Sequence, residues 1–242
     1  MMSQTLAPPA ALTPSFVDLK AWAASAPLRP SETWRVGREA LPLDDAAVAI
    51  EALRLGAGSG HLVPGQPADE FLHILSGELT LAAGGVTLDL GPGESAVIPA
   101  GLAFDWRCAG EVRLVAMRCL GAPTGLGLRR MDPALPLAPS GPPLAELLLT
   151  PTPSCRNLTQ FTSADGAFVC GVWDSTPYTR TAMAYGHHEL MHLLAGEVTF
   201  QDEQGVTATF KAGDLFVVLK GARCSWDSPT DVTKVFAIHR PG

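Results

Sequence analysis

Two glutamates stand at matching places in two similar runs: Glu70 in EFLHILSGELTL and Glu189 in ELMHLLAGEVTF. The residues near Glu189 could do chemistry. His187 and Glu189 share inward parity and are a nitrogen and an oxygen donor, types that Zn, Fe and Mn accept. Without a metal, a carboxylate inside a barrel must be protonated, hydrogen-bonded or paired. Lys234 is the candidate partner, and Tyr185 or Trp226 could also donate to it. Lys234 and Tyr185 are then the candidate acid–base groups. The remaining pocket candidates here are Met183, Cys224 and Trp226. Around Glu70 the candidates are Gln66, Phe104 and Trp106, which offer too few donors for a metal. Leu114 stands where Lys234 would be expected, so the first unit lacks that cation.

These residues must be positioned by strands. The runs are short, rich in β-formers and bounded by Gly or Pro: AVAIEALRL, FLHILSGELTL and VRLVAM, then FVCGVW, LMHLLAGEVTF and VTKVFAI. Such runs indicate an all-β sandwich or barrel. No long stripe of helical period is present, which disfavours α/β alternation. Side chains alternate faces along a strand. With Glu189 inward, Met191 and Leu193 are inward and His192 is outward. With Glu70 inward, Leu72 and Ile74 are inward and His73 is outward. His73 and His192 are therefore expected as packing or interface residues. His61 lies at the wrong parity before Glu70 and is expected at the surface.

The two runs belong to a longer internal repeat. Gly85-Val86-Thr87 matches Gly205-Val206-Thr207, Trp106 matches Trp226, and Val112 and Val115 match Val232 and Val235. The register holds at an offset of 119 residues before one insertion and 120 after it. Two tandem barrels are expected: an N-terminal extension over 1–30, barrel 1 over 31–130, a Pro-rich linker over 131–153 and barrel 2 over 154–242. The extension is expected to hold a short helix around 16–24, or a strand packing on the other unit. The linker is expected to hold one helical turn at 144–149. Both segments would cover sheet edges that otherwise invite pairing.

Composition limits the function classes. The chain has 242 residues, 47% of them hydrophobic and 17% charged, with a net charge of −7. That suits a folded core and opposes disorder. An acidic chain without a basic cluster is a poor nucleic-acid partner, and its apolar runs are too short to span a bilayer. The first residues lack the charged and apolar regions of a secretory leader. The five cysteines are odd in number and form no C-x-x-C pair. Free thiols in the cytoplasm follow.

At this point the motifs resemble those of the cupin superfamily. E-x6-G at Glu70–Gly77 and Glu189–Gly196 resembles the end of the first cupin motif, and G-x5-P-x-G at Gly93, Pro99 and Gly101 resembles the head of the second. The second unit is similar to ethanolamine-utilisation-type cupins and ureidoglycine aminohydrolases. It shares Gly171-Val172-Trp173, HELMHLLAGEVTF, FKAGDLFVVLKG, Trp226 and Lys234-Val235-Phe236. The resemblance implies a bicupin of two jelly-roll barrels, often oligomeric, that binds or converts small molecules. A homodimer is compatible with it. It also implies a metal held by two His and a Glu from the first motif and one His from the second. Here those His positions hold Tyr185 and Met183, Gln66 and Pro64, and in the second motif Cys224 and Phe104. With Cys224 at a ligand position, the resemblance implies His187, Glu189 and Cys224 as the candidate set for Zn, Fe or Mn, with positions left open for a substrate. The expected function is a small-molecule-binding bicupin with a degenerate metal site and its pocket mainly in barrel 2. The alternatives are a metal-dependent enzyme acting on a small nitrogenous or carboxylated metabolite, and a structural or regulatory protein with inert barrels.

Overall fold

Short apolar runs bounded by Gly or Pro form strands throughout the computed structural model, which describes residues 14–240. The segment read above for a leader, and the side chain of His61, lie outside the described residues. The fold is all-β, with two jelly-roll barrels. Each barrel pairs one large sheet with one four-stranded sheet.

In barrel 1 the large sheet runs in the order Arg129–Arg130, Ser95–Ile98, Ala68–Ser76, Val112–Leu120, Val48–Leu55, Glu39–Ala40. In barrel 2 it runs Phe16–Asp18, Leu215–Val218, His188–Ala195, Val232–His239, Phe168–Ser175, Cys155–Thr162, Ala138–Ser140. Every pairing in the two sheets is antiparallel. The central strands are buried on both faces, so they read as near-continuous apolar runs.

Strand alternation sends one set of side chains into each barrel and the other set between the barrels. Leu72, Ile74, Phe104 and Trp106 fill barrel 1. Met191, Leu193, Phe200 and Trp226 fill barrel 2. A third cluster is shared, with Phe71, Val115 and Met117 of one barrel packed with Leu190, Val217 and Val235 of the other. His73 and His192 meet in this seam and are buried.

The N-terminal segment supplies both elements that its sequence left open. Phe16–Asp18 adds a strand to the barrel 2 sheet beside Leu215–Val218. A helix, Leu19–Ser25, follows at once. Asp18 caps it by accepting the backbone N–H groups of Lys20 and Ala21. Leu19 and Ala23, one turn apart, enter the shared cluster. Within the Pro-rich stretch, Ala138–Ser140 forms an edge strand on Cys155–Thr162, and Ala145–Leu147 forms a single 3-10 turn.

The glycines that end the E-x6-G motif have a steric cause. Gly77 and Gly196 adopt φ of +81° and +78°. A Cβ there would lie 2.2 Å from the Glu111 carbonyl oxygen and 2.1 Å from that of Asp231. Neither the dihedral nor the space admits a side chain.

Candidate functional site

Barrel 2 holds a cavity of about 380 Å³. Glu189 enters it from the central strand His188–Ala195. Lys234 lies on the neighbouring strand, opposite Leu193 on one side and Trp173 on the other. Its ammonium reaches back to donate to Glu189 Oε1 at 2.8 Å and to Met191 Sδ at 3.2 Å. It also lies 4.8 Å from the centre of the Trp173 ring and 5.2 Å from that of Trp226. Both rings present their faces as partners for the cation. His187 turns inward, its Nε2 3.4 Å from Glu189 Oε2. Burial alone would raise the Glu189 pKa, but the Lys234 ammonium and the His187 contact outweigh it and hold the carboxyl down to about 2.

A second cation faces the same cavity. Arg180, 3% exposed, comes from Tyr178–Ala184. It donates from Nη2 to the Tyr185 hydroxyl at 2.9 Å and from Nη1 to the Cys224 carbonyl at 2.9 Å. Burial pushes the Tyr185 phenol well up despite the nearby guanidinium, so it stays protonated. Tyr178 stacks on Trp226 with ring centres 5.5 Å apart. Aromatic walls with a few convergent polar groups are the usual build of a small-molecule pocket.

The structure brings Met183, Tyr185, His187, Glu189, Trp226 and Lys234 together on this cavity. It does not bring Cys224 there. That residue is fully buried among Val198, Phe200 and Phe216, where burial pushes its thiol up to about 11. The expected metal set of His187, Glu189 and Cys224 is therefore not assembled. Among the described residues no group of three or more His, Cys, Asp or Glu side chains is arranged to hold a metal.

Barrel 1 differs from its sequence reading in its glutamate and in its pocket walls. Its glutamate does have a cation, which arrives from another part of the chain. Arg38 Nη1 lies 2.8 Å from Glu70 Oε1 and 2.8 Å from Glu51 Oε2. Trp34 Nε1 donates to Glu70 Oε2 at 3.1 Å. Arg118 adds a 3.4 Å contact to Glu51. A cavity of about 520 Å³ opens beside this network, lined in part by Gln66, Glu70 and Trp34. Gln66 donates to the Pro64 carbonyl. Phe104 and Trp106, expected as pocket walls, instead pack beneath Trp34 in the barrel interior. Sequence reasoning missed Trp34, Arg38 and Arg180.

Comparison with known proteins agrees with this architecture. Residues 52–118 match the family model of a cupin domain, and residues 162–236 match that of an EutQ-like cupin domain. A solved protein of unknown function from Pseudomonas syringae pv. tomato, of the DUF861 family, is 32% identical. That match covers 84% of this chain and 86% of that one, with a TM-score of 0.78. The chain belongs to the cupin superfamily. It is a bicupin. Two distant structures share the fold. A cupin 2 conserved barrel domain protein from Leptotrichia buccalis is 10% identical, with a TM-score of 0.62, over 93% of this chain and 96% of that one. Salicylate 1,2-dioxygenase from Pseudaminobacter salicylatoxidans is 12% identical, with a TM-score of 0.59, over 98% of this chain and 86% of that one. No curated protein matches the chain. No helix among the described residues is long and apolar enough to cross a membrane.

Cupins often bind a metal, but the donors of barrel 2 do not fit one. Glu189 Oε1 is engaged by an ammonium. The Cys224 thiol lies outside the cavity and the Tyr185 phenol accepts from Arg180. A buried guanidinium and an ammonium lining the same cavity also oppose a third cation electrostatically.

Proposed function

We propose that this bicupin binds a small organic anion of the carboxylate class in the barrel 2 cavity. The observation that carries this reading is that two buried cations, Arg180 and Lys234, and a single carboxylate, Glu189, line one aromatic-walled cavity. The excess positive charge is desolvated, so an anionic ligand gains more from it than it would at an exposed site. Trp173, Trp226 and Tyr178 supply apolar surface for the ligand's carbon frame. Tyr185 and His187 supply hydrogen-bonding groups that can fix its orientation.

Barrel 1 is read as structural, because Arg38 lies 2.8 Å from both of its carboxylates, Glu51 and Glu70. The five free and buried thiols suit a reducing compartment, the cytoplasm.

The test is calorimetric titration with a panel of small carboxylates, each matched against its neutral amide. The reading expects saturable binding of an acid and none of its amide. It also expects Arg180→Met to weaken that binding roughly 10-fold or more, the usual loss for a hydrogen bond to a charged group. Equal binding of acid and amide, or binding indifferent to Arg180→Met, overturns it.

A further inference from the structure

The glutamate that the cupin pattern gives to a metal is bound, in each barrel, to a cation of the chain itself. In barrel 2 the cation is Lys234, on the last strand of the barrel. In barrel 1 it is Arg38, between Trp34 and the strand Glu39–Ala40. The two residues occupy unrelated places in the repeat. Each is nonetheless accompanied by indole: Trp34 lies under Arg38, and Trp173 and Trp226 flank Lys234. The same pairing of glutamate and buried cation thus occurs twice, with different residues.

The two cations are not equally satisfied. Arg38 lies between two carboxylates and also donates from Nε to the Trp34 carbonyl. Lys234 faces one carboxylate, and its second partner is a thioether, a weak acceptor. An ammonium has three N–H donors. The third has no acceptor among the described residues, and Lys234 is a lining residue of the cavity. A buried charge with an unmet donor on a cavity calls for an acceptor from the ligand.

We propose that in this bicupin a side-chain cation takes the metal's place in both barrels, and that the Lys234 ammonium receives the anionic oxygen of the ligand in barrel 2. The second half rests on the carboxylate reading given above. The first half does not. The ammonium acts as a fixed positive pole, and the cage of Glu189, Met191, Trp173 and Trp226 is a site for one small cation that the chain fills itself.

The test separates the two halves. Wild-type protein and Lys234→Ala are titrated with Mn2+, Zn2+ and methylammonium, with the thermal midpoint as readout and no carboxylate present. The wild type is expected to show no Glu189-dependent uptake of either metal. Methylammonium is expected to stabilise Lys234→Ala saturably, and to do so neither in the wild type nor in Lys234→Ala/Glu189→Gln. About one equivalent of metal in the wild type, lost in Glu189→Gln, overturns the replacement. So does methylammonium acting alike on Lys234→Ala and the double variant. Carboxylate binding is then compared between Lys234→Arg and Lys234→Met, which keep the side chain's bulk if the alanine variant does not fold. Retention in the first and a loss of roughly 10-fold or more in the second is expected for a charge-assisted contact. Equal binding by both overturns the role of Lys234. If no carboxylate binds the wild type while methylammonium still rescues Lys234→Ala, the ligand reading fails and the cation replacement stands.

Discussion

The imidazole rings of His73 and His192 meet with their centres 4.3 Å apart and their planes tilted by 55°. They hold the same position in the two repeats, so the molecule brings two copies of one residue into contact at the seam between its barrels. Neither ring is suited to carry a proton there. Burial is the main cause. For His73, His192 and Lys20 add to it, and the pKa falls to about 3. For His192, Lys20 adds to the effect, Asp214 opposes it, and the pKa falls to about 4.

Acid should therefore weaken the seam. Unfolded histidine takes up a proton near pH 6.5, whereas these two resist it until about 4 and about 3. As pH falls below the unfolded value, the unfolded chain gains protons that the folded chain refuses. Stability from each ring then falls by up to about 1.4 kcal/mol per pH unit. His73 Nδ1 is hydrogen-bonded to Ser95 at 2.9 Å, while His192 Nδ1 has no partner among the described residues. His192→Phe should thus cost under ~1 kcal/mol at neutral pH and flatten the acid limb, since it removes no hydrogen bond at that nitrogen. Urea midpoints followed from neutral to acid pH will read this. An unchanged acid slope in the variant goes against it.

The Glu189–Lys234 pair is expected to behave as a buried pair whose halves cannot be removed singly. Lys234→Met should destabilise by about 3–5 kcal/mol, because Glu189 is left charged and uncompensated. Adding Glu189→Leu should recover most of that loss. The pair also contributes a pH term of opposite origin to that of the histidines. Glu189 has a depressed pKa, so its stabilisation is present above its ordinary value of 4.5 and is lost as pH falls from there toward about 2. A double-mutant cycle by chemical denaturation measures the coupling, and additive losses would contradict it.

Arg38 should resist replacement by lysine. It holds Glu51 and Glu70 and reaches the Trp34 carbonyl, and burial fails to lower its pKa because those two carboxylates outweigh it. A lysine is a single point charge and cannot reproduce that fork. Arg38→Met is expected to cost about 3–5 kcal/mol, with Arg38→Lys only partly better. Thermal unfolding of the two variants gives the order. Equal stability of Arg38→Lys and wild type would speak against a forked role.

The five thiols should be silent toward a disulfide reagent in the native protein. All are buried, and burial raises the pKa of each. Labelling should appear only on unfolding and should track the open population. Rapid native reaction of Cys155, which borders the barrel 2 cavity, would mark a more open mouth than the structure has.

The period of two made the interior legible from sequence. It placed Leu72, Ile74, Met191 and Leu193 inside the barrels and the two histidines between them. It failed where the period breaks. The register between Tyr178–Ala184 and Arg223–Ser228 shifts between Arg180 and Met183. Residues three apart normally face opposite ways, but across this irregularity both reach one cavity. Strand alternation along the Tyr-Thr-Arg-Thr run therefore did not place Arg180 on the cavity. Arg38 and Trp34 were hidden for another reason. They lie in an irregular segment, and nothing local records that it returns over barrel 1. A stranded carboxylate at Glu70 was the available signal that some cation must come from elsewhere.

The N-terminal strand carries a consequence for how the protein is made. Phe16 faces Val218 in the barrel 2 sheet. This strand, the first among the described residues, thus finds its partner only when about two hundred further residues have been made. Barrel 1 can close during synthesis, yet this strand and the capped helix behind it must wait, with Leu19 and Ala23 exposed. Docking it is a late, long-range closure that depends on the barrel 2 sheet being formed, and it ties residues 16–18 to residues 216–218 across the intervening barrel 1.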